Sequence, residues 1–234
     1  AKFGETKAVL CGDALLNCAA EVLFGGDFSD IMDSAMTELG YDTLVQKLVA
    51  TARVGAFAVN GNHEGYMERS GSDINGWLRR VGFTVLDDST ACIPLACITG
   101  RTDVQVARAR DMERKLLAEL APKPAPLTAP SLTDSVQFDS AQSAAVDSRP
   151  WIVVDHQPKG IEPGHIGRLP DLALSGHTHD GQFFPGTVII DWVWRLAYGF
   201  STLDGVPWLV SSGVGSWGPP VRIGSDTEMW ILYF

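Results

Sequence analysis

Four short apolar runs in this sequence end in residues that can hold a metal ion or move a proton. VLFGGD closes at Asp27, FAVNGNH at Asn62 and His63, WIVVDH at Asp155 and His156, and LALSGHTH at His177 and His179. Carboxylate, amide oxygen and imidazole nitrogen together make a donor set for a divalent cation such as Mn, Fe or Zn, and no thiolate accompanies them to suggest a structural zinc. The neighbouring Gly25, Gly26, Gly61 and Gly176 permit tight turns and close backbone approach. On an extended segment, residues one apart point the same way. His177 and His179 are therefore expected to face one site, with Thr178 turned away, as a pair suited to two neighbouring ions.

Strands in one sheet deliver their C-terminal loops to a common edge, so residues this distant in sequence can converge there. The first half of the chain has that rhythm. KAVLCGDALLNCAA carries apolar residues at helical spacing, EVLFGGD is strand-like, DTLVQKLVATAR is amphipathic and VGAFAVN is again strand-like. FTVL and ACIPLACITG predict two further strands, and VARARDMERKLLAELA predicts a helix with its charges on one face. Residues 121–149, rich in Pro, Ala and Ser, are expected to form a surface excursion. Beyond them WIVVDHQP, DLALSGHTH, TVIIDWVW, VPWLVSSGVG and EMWILYF all read as strands. Such an order predicts two sheets packed face to face with helices outside, in one domain over 1–234.

With 234 residues, 45% of them hydrophobic, the chain can bury a sizeable core. Its net charge of −10 excludes a non-specific grip on nucleic acid, and no nucleic-acid surface is evident. An anionic substrate stays admissible, because bound cations can reverse the local field. Cys11, Cys18, Cys92 and Cys97 lack CxxC spacing and read as ordinary thiols. No apolar run reaches the roughly 18 residues of a membrane span, and the start lacks a signal pattern, so the chain as given reads as soluble. Trp192, Trp194, Trp208 and Trp217 fit either core packing or an apolar groove, and Arg101 and Asp103 in GRTD fit either an ion pair or a substrate phosphate.

GGDFSD, GNHE, VVDHQP and SGHTHDGQ, in this order, resemble the calcineurin-like metallophosphoesterase superfamily, in particular its bacterial branch with GHTHGGQ-type ends. The resemblance implies an α/β fold, a four-layer αββα sandwich of two mixed β-sheets flanked by helices. It also implies a phosphate mono- or diester hydrolase with two divalent metal ions, whose bridging hydroxide attacks phosphorus. Carried over residue by residue, Asp27 would bridge the metals, Asn62, His156 and His177 would complete the second, and His179 would belong to the first. His63 would contact the phosphoryl oxygen or protonate the leaving group, with Glu64 orienting it, and Arg101 is a candidate substrate contact. The family's opening Asp-x-His has no counterpart before Asp27, which leaves the first metal site incomplete in this sequence. The alternative is thus a catalytically degraded member acting as an interaction or metal-binding module. The implied partner is a small phosphate ester, and a membrane tether or export signal, frequent in this branch, would have to lie ahead of residue 1.

Overall fold

The computed structural model describes residues 15–18, 21–123 and 147–232. Four strands, β1 (Leu15–Cys18), β2 (Glu21–Phe24), β3 (Gly55–Ala58) and β4 (Thr84–Val85), form one sheet in that spatial order. β1 runs antiparallel to β2, and the rest are parallel. Helices α1 (Asp33–Glu38) and α2 (Tyr41–Val49) connect β2 to β3, and α3 (Asn62–Arg69) and α4 (Ile74–Arg80) connect β3 to β4.

The second sheet holds β5 (Ser89–Cys92), β6 (Cys97–Gly100), β7 (Trp151–Val154), β8 (Leu172–Ser175), β9 (Gly199–Leu203) and β10 (Val206–Val210), in the order β5-β6-β7-β8-β10-β9. Its four central strands are parallel, with an antiparallel strand at each edge. α5 (Val104–Ala109) and α6 (Leu117–Leu120) follow β6, and α7 (Gly186–Val193) follows β8.

Side-chain alternation along the strands assigns the layers. Leu23, Phe57, Ile152, Val154, Leu174 and Leu209 meet between the sheets. Their neighbours Phe24 and Ala58 point outward against Met36, Val45, Trp77 and Leu78 of the helices. On the far side Trp151, Val153, Trp208 and Val210 pack with Leu117 of α6 and the loops at Ile161 and Leu196. Two mixed sheets flanked by helices are what the sequence predicted.

Several local expectations fail. Leu15–Cys18 is a strand, because pairing with β2 outweighs the helical spacing of its apolar residues; Cys11 lies outside the described residues, as do 124–146 of the expected excursion. The helix expected over VARARDMERKLLAELA breaks between α5 and α6. There Asp111 adopts a left-handed conformation, and Arg110 and Arg114 turn inward to Glu68, Asp87 and Asp155. TVIIDWVW is not a strand but most of α7, which starts after Pro185; its β-branched residues mimic strand composition without the pairing. EMWILYF forms no strand among the described residues up to 232, while GFSTL, unforeseen, is edge strand β9. Cys92 and Cys97 are not free thiols: they sit directly opposite each other in the β5–β6 pair and form a disulfide.

Candidate metal centre

The four motif-bearing loops leave the C-terminal ends of β2 and β3 in one sheet and of β7 and β8 in the other. Two sheets, rather than one, deliver the residues. Asp27, in a left-handed conformation, follows the β2 turn, and Asn62 and His63 open α3. Two glycines make this approach possible. A Cβ on Gly26 (φ +105°) would lie 2.5 Å from His156 Nδ1, and one on Gly61 would lie 2.1 Å from Asp27 Oδ1.

Fully buried His156 is the hub. Its Nδ1 donates to the Gly25 carbonyl at 2.9 Å, which points Nε2 into the site. Around Nε2 lie Asp27 Oδ2 at 3.0 Å, Asn62 Oδ1 at 3.1 Å and His177 Nδ1 at 3.2 Å. One ligand atom each from Asp27, His156 and His177 falls within 4.8 Å of the others. His156 Nε2 can carry a single proton, too few for three such neighbours, whereas a divalent cation would satisfy all four electron-pair donors at once. The oxygen and nitrogen donor set therefore fits a cation such as Mn, Fe or Zn. Cys92, Cys97 and Asp147 also cluster, but the two sulfurs are bonded to each other.

Charge follows the same geometry. Burial works upward on the Asp27 carboxyl, yet His156 beside it, together with His63, holds it well below the usual carboxylate range. Burial and the neighbouring His156 push His177 down to about 3, so its imidazole is neutral and able to ligate. His63 is raised to about 9, first by its hydrogen bond to Asp30 and then, against burial, by the Asp27 charge. Its Nδ1 meets Asp30 Oδ1, and its Nε2 lies 3.9 Å from Asp27 Oδ2. A cationic imidazole thus stands at the edge of the cluster.

Glu64 binds the backbone around Asp27. Its carboxylate accepts the backbone N–H groups of Asp27 at 2.8 Å, Phe28 at 2.6 Å, Ser29 at 3.4 Å and Gly61 at 2.7 Å. It pins the Asp27 turn to the start of α3. Burial first, and then the Asp27 charge, push its carboxyl up to about 7. A glutamate three residues after a helix N-cap is a capping signal, and that signal was present in GNHE.

The histidine pair does not alternate as on a strand. His177, His179, Asp180 and Gln182 all have positive φ, and His179–Gly181 forms a 3₁₀ turn. Four consecutive-region departures of this kind mark a segment held by its surroundings, as functional turns often are. His177 consequently reaches the cluster, Thr178 donates to the Ala197 carbonyl at 2.5 Å, and His179 is not one of the three residues whose ligand atoms all lie within 4.8 Å of one another. Gln182 is buried; it accepts the Trp217 N–H at 2.5 Å and donates to the carbonyls of Trp217 at 2.6 Å and Pro219 at 3.2 Å. It fastens the late loop to the histidine turn, a link no sequence pattern signalled.

Arg101 is only 7% exposed. Its guanidinium is engaged by Glu162 at 3.3 Å, the Lys115 carbonyl at 3.2 Å and Asp88 at 3.8 Å, while Asp103 caps α5 and accepts from Gln157. The Arg101 guanidinium is thus ion-paired. The tryptophans divide: Trp208 is core, Trp194 packs its ring 5.3 Å from that of His177, and Trp192 and Trp217 face solvent.

Comparison with known proteins agrees with this architecture. The family model described as calcineurin-like phosphoesterase matches residues 13–181. An uncharacterized metallophosphoesterase of Aquifex aeolicus is 31% identical over 207 residues, 87% of this chain and 69% of that protein. One from Helicobacter pylori is 28% identical over 212 residues, 90% of this chain and 50% of that protein. A zebrafish transmembrane protein with metallophosphoesterase domain is 27% identical over 185 residues, 76% of this chain and 38% of that protein. The chain spans about half the length of the first curated relatives it matches. Among the described residues no helix is long and apolar enough to cross a membrane. No solved structure matches. By the family match over most of its length, and by a fold of two helix-flanked sheets, the chain belongs to the calcineurin-like phosphoesterase family.

Proposed function

We propose that this protein hydrolyses a phosphate mono- or diester with the help of divalent cations held by Asp27, Asn62, His156 and His177. The observation that carries the proposal is the convergence of carboxylate, amide and imidazole electron pairs on His156 Nε2 within 3.0 to 3.2 Å. Cations bound there would polarise the phosphoryl group and lower the pKa of water at the site. His179, together with Asp27, would hold a second cation.

The chain's own groups supply the rest. Glu64 holds the Asp27 turn through four backbone N–H groups, so the carboxylate is oriented before any ligand arrives. Asp30 grips one side of the His63 ring and leaves the other edge toward Asp27 and the site. In that position His63 can donate a proton to the leaving oxygen or a hydrogen bond to a phosphoryl oxygen.

The test is turnover of p-nitrophenyl phosphate and bis(p-nitrophenyl) phosphate, with Mn added and then chelated, alongside elemental analysis. We expect metal-dependent turnover, and a His63→Ala variant that keeps its metal but loses roughly a hundredfold or more in kcat. Bound metal with no turnover on either ester class would favour the metal-binding module instead. Undiminished turnover in His63→Ala would remove that residue from the chemistry.

A further inference from the structure

α7 buries none of its residues. Trp192 is 82% exposed, Phe184 67% and Val193 66%, and Val188 and Ile189 are about half exposed. Val221, Ile223 and Trp217 extend the same surface: Phe183 bridges to Ile223, Phe184 N–H donates to the Ile223 carbonyl at 2.8 Å, and Gln182 holds Trp217. A contiguous apolar patch of this composition is costly in water and marks a surface that meets something apolar.

Its place relative to the metal centre is fixed at both ends. The N-terminal end of α7 abuts the histidine turn, where a Cβ on Gly181 would lie 2.3 Å from the Gly186 backbone. At the other end Trp194 packs on the His177 ring. The patch and the site therefore share one rim.

Charge selects the occupant. Between 183 and 194 the only ionisable side chain is Asp191, and the Arg222 guanidinium of the neighbouring loop is turned to the backbone carbonyls of His179, Ser212 and Gly215. The chain as a whole carries −10. A second copy, or an anionic surface, is repelled by that charge, whereas a neutral surface with accessible acyl chains is not. Tryptophan on such a face suits the boundary between headgroup and acyl chain.

We infer that the α7 face docks on a zwitterionic lipid bilayer, presenting the metal centre to phosphate esters at that surface. The second half of this statement rests on the phosphoesterase proposal above; the docking does not. The experiment is co-sedimentation of the protein with phosphatidylcholine vesicles, with and without chelator, for the parent and for a Trp192→Ser/Val193→Ser double variant of unchanged circular dichroism. The parent should partition onto vesicles regardless of chelator and of added salt, and the variant should partition roughly tenfold less or weaker. Turnover of soluble bis(p-nitrophenyl) phosphate should be equal in the two proteins.

Failure of the parent to partition overturns the inference, as does equal partition of the variant. A parent dimer that the variant converts to monomer, read by light scattering, also overturns it by assigning the face to a second copy. Partition of the parent lost in the variant, with no turnover in either, supports docking while the hydrolase proposal falls.

Discussion

WIVV of β7 and TVIIDWV of α7 are similar in composition, and each adjoins the candidate metal centre. β7 is buried along its whole length, with Ile152 and Val154 between the sheets and Trp151 and Val153 against the outer layer. α7 has no buried residue at all. The difference lies in what each run can pair with: β7 has parallel neighbours on both sides, β6 and β8, whereas α7 satisfies its backbone within itself and lies along the rim of the histidine turn. Apolar composition makes burial favourable, but a partner must be present for burial to occur.

The largest test of that contrast is at the end of β7. His156→Ala removes the hub and should lower Mn affinity by about a hundredfold or more, read by metal titration, whereas no substitution in α7 should change it. Next comes stability. Ile152→Ala should cost about 2 to 5 kcal/mol in urea unfolding, through lost transfer energy and a cavity between the sheets. Gln182→Ala, which leaves the Trp217 N–H and the late loop without their buried partner, should cost about 1 to 3 kcal/mol and reduce protection of the 217–219 amides in hydrogen exchange. Smallest of all, Ile189→Ala in α7 should shift stability by less than about 0.5 kcal/mol. A cost there as large as that at Ile152 would break the comparison, since it would mean that α7 is covered in solution.

Much of the centre was legible because its residues sit at the ends of recognisable strands. Asp27, Asn62, His156 and His177 announced themselves by type, by order and by the glycines beside them, and the structure brings all four together. His179 was harder to place. Its position depends on a run of left-handed residues rather than on strand alternation, and backbone sign is not written in residue type for His, Asp and Gln as it is for Gly. Arg101 was ambiguous for a related reason: its partners Asp88, Glu162 and Lys115 lie in different elements. Cys92 and Cys97 carry no spacing signal; only their directly opposed register in β5 and β6 makes a disulfide possible.

From the sequence alone came the donor set, its order along the chain and the plan of two sheets flanked by helices, because ligand chemistry and hydrophobic period are local properties. Tertiary structure alone decided the rest: that two sheets share one centre, that Glu64 ties the Asp27 turn to α3, and that TVIIDWVW is a solvent-facing helix. Each of these depends on which distant segment supplies the other half of a hydrogen bond or a packed surface.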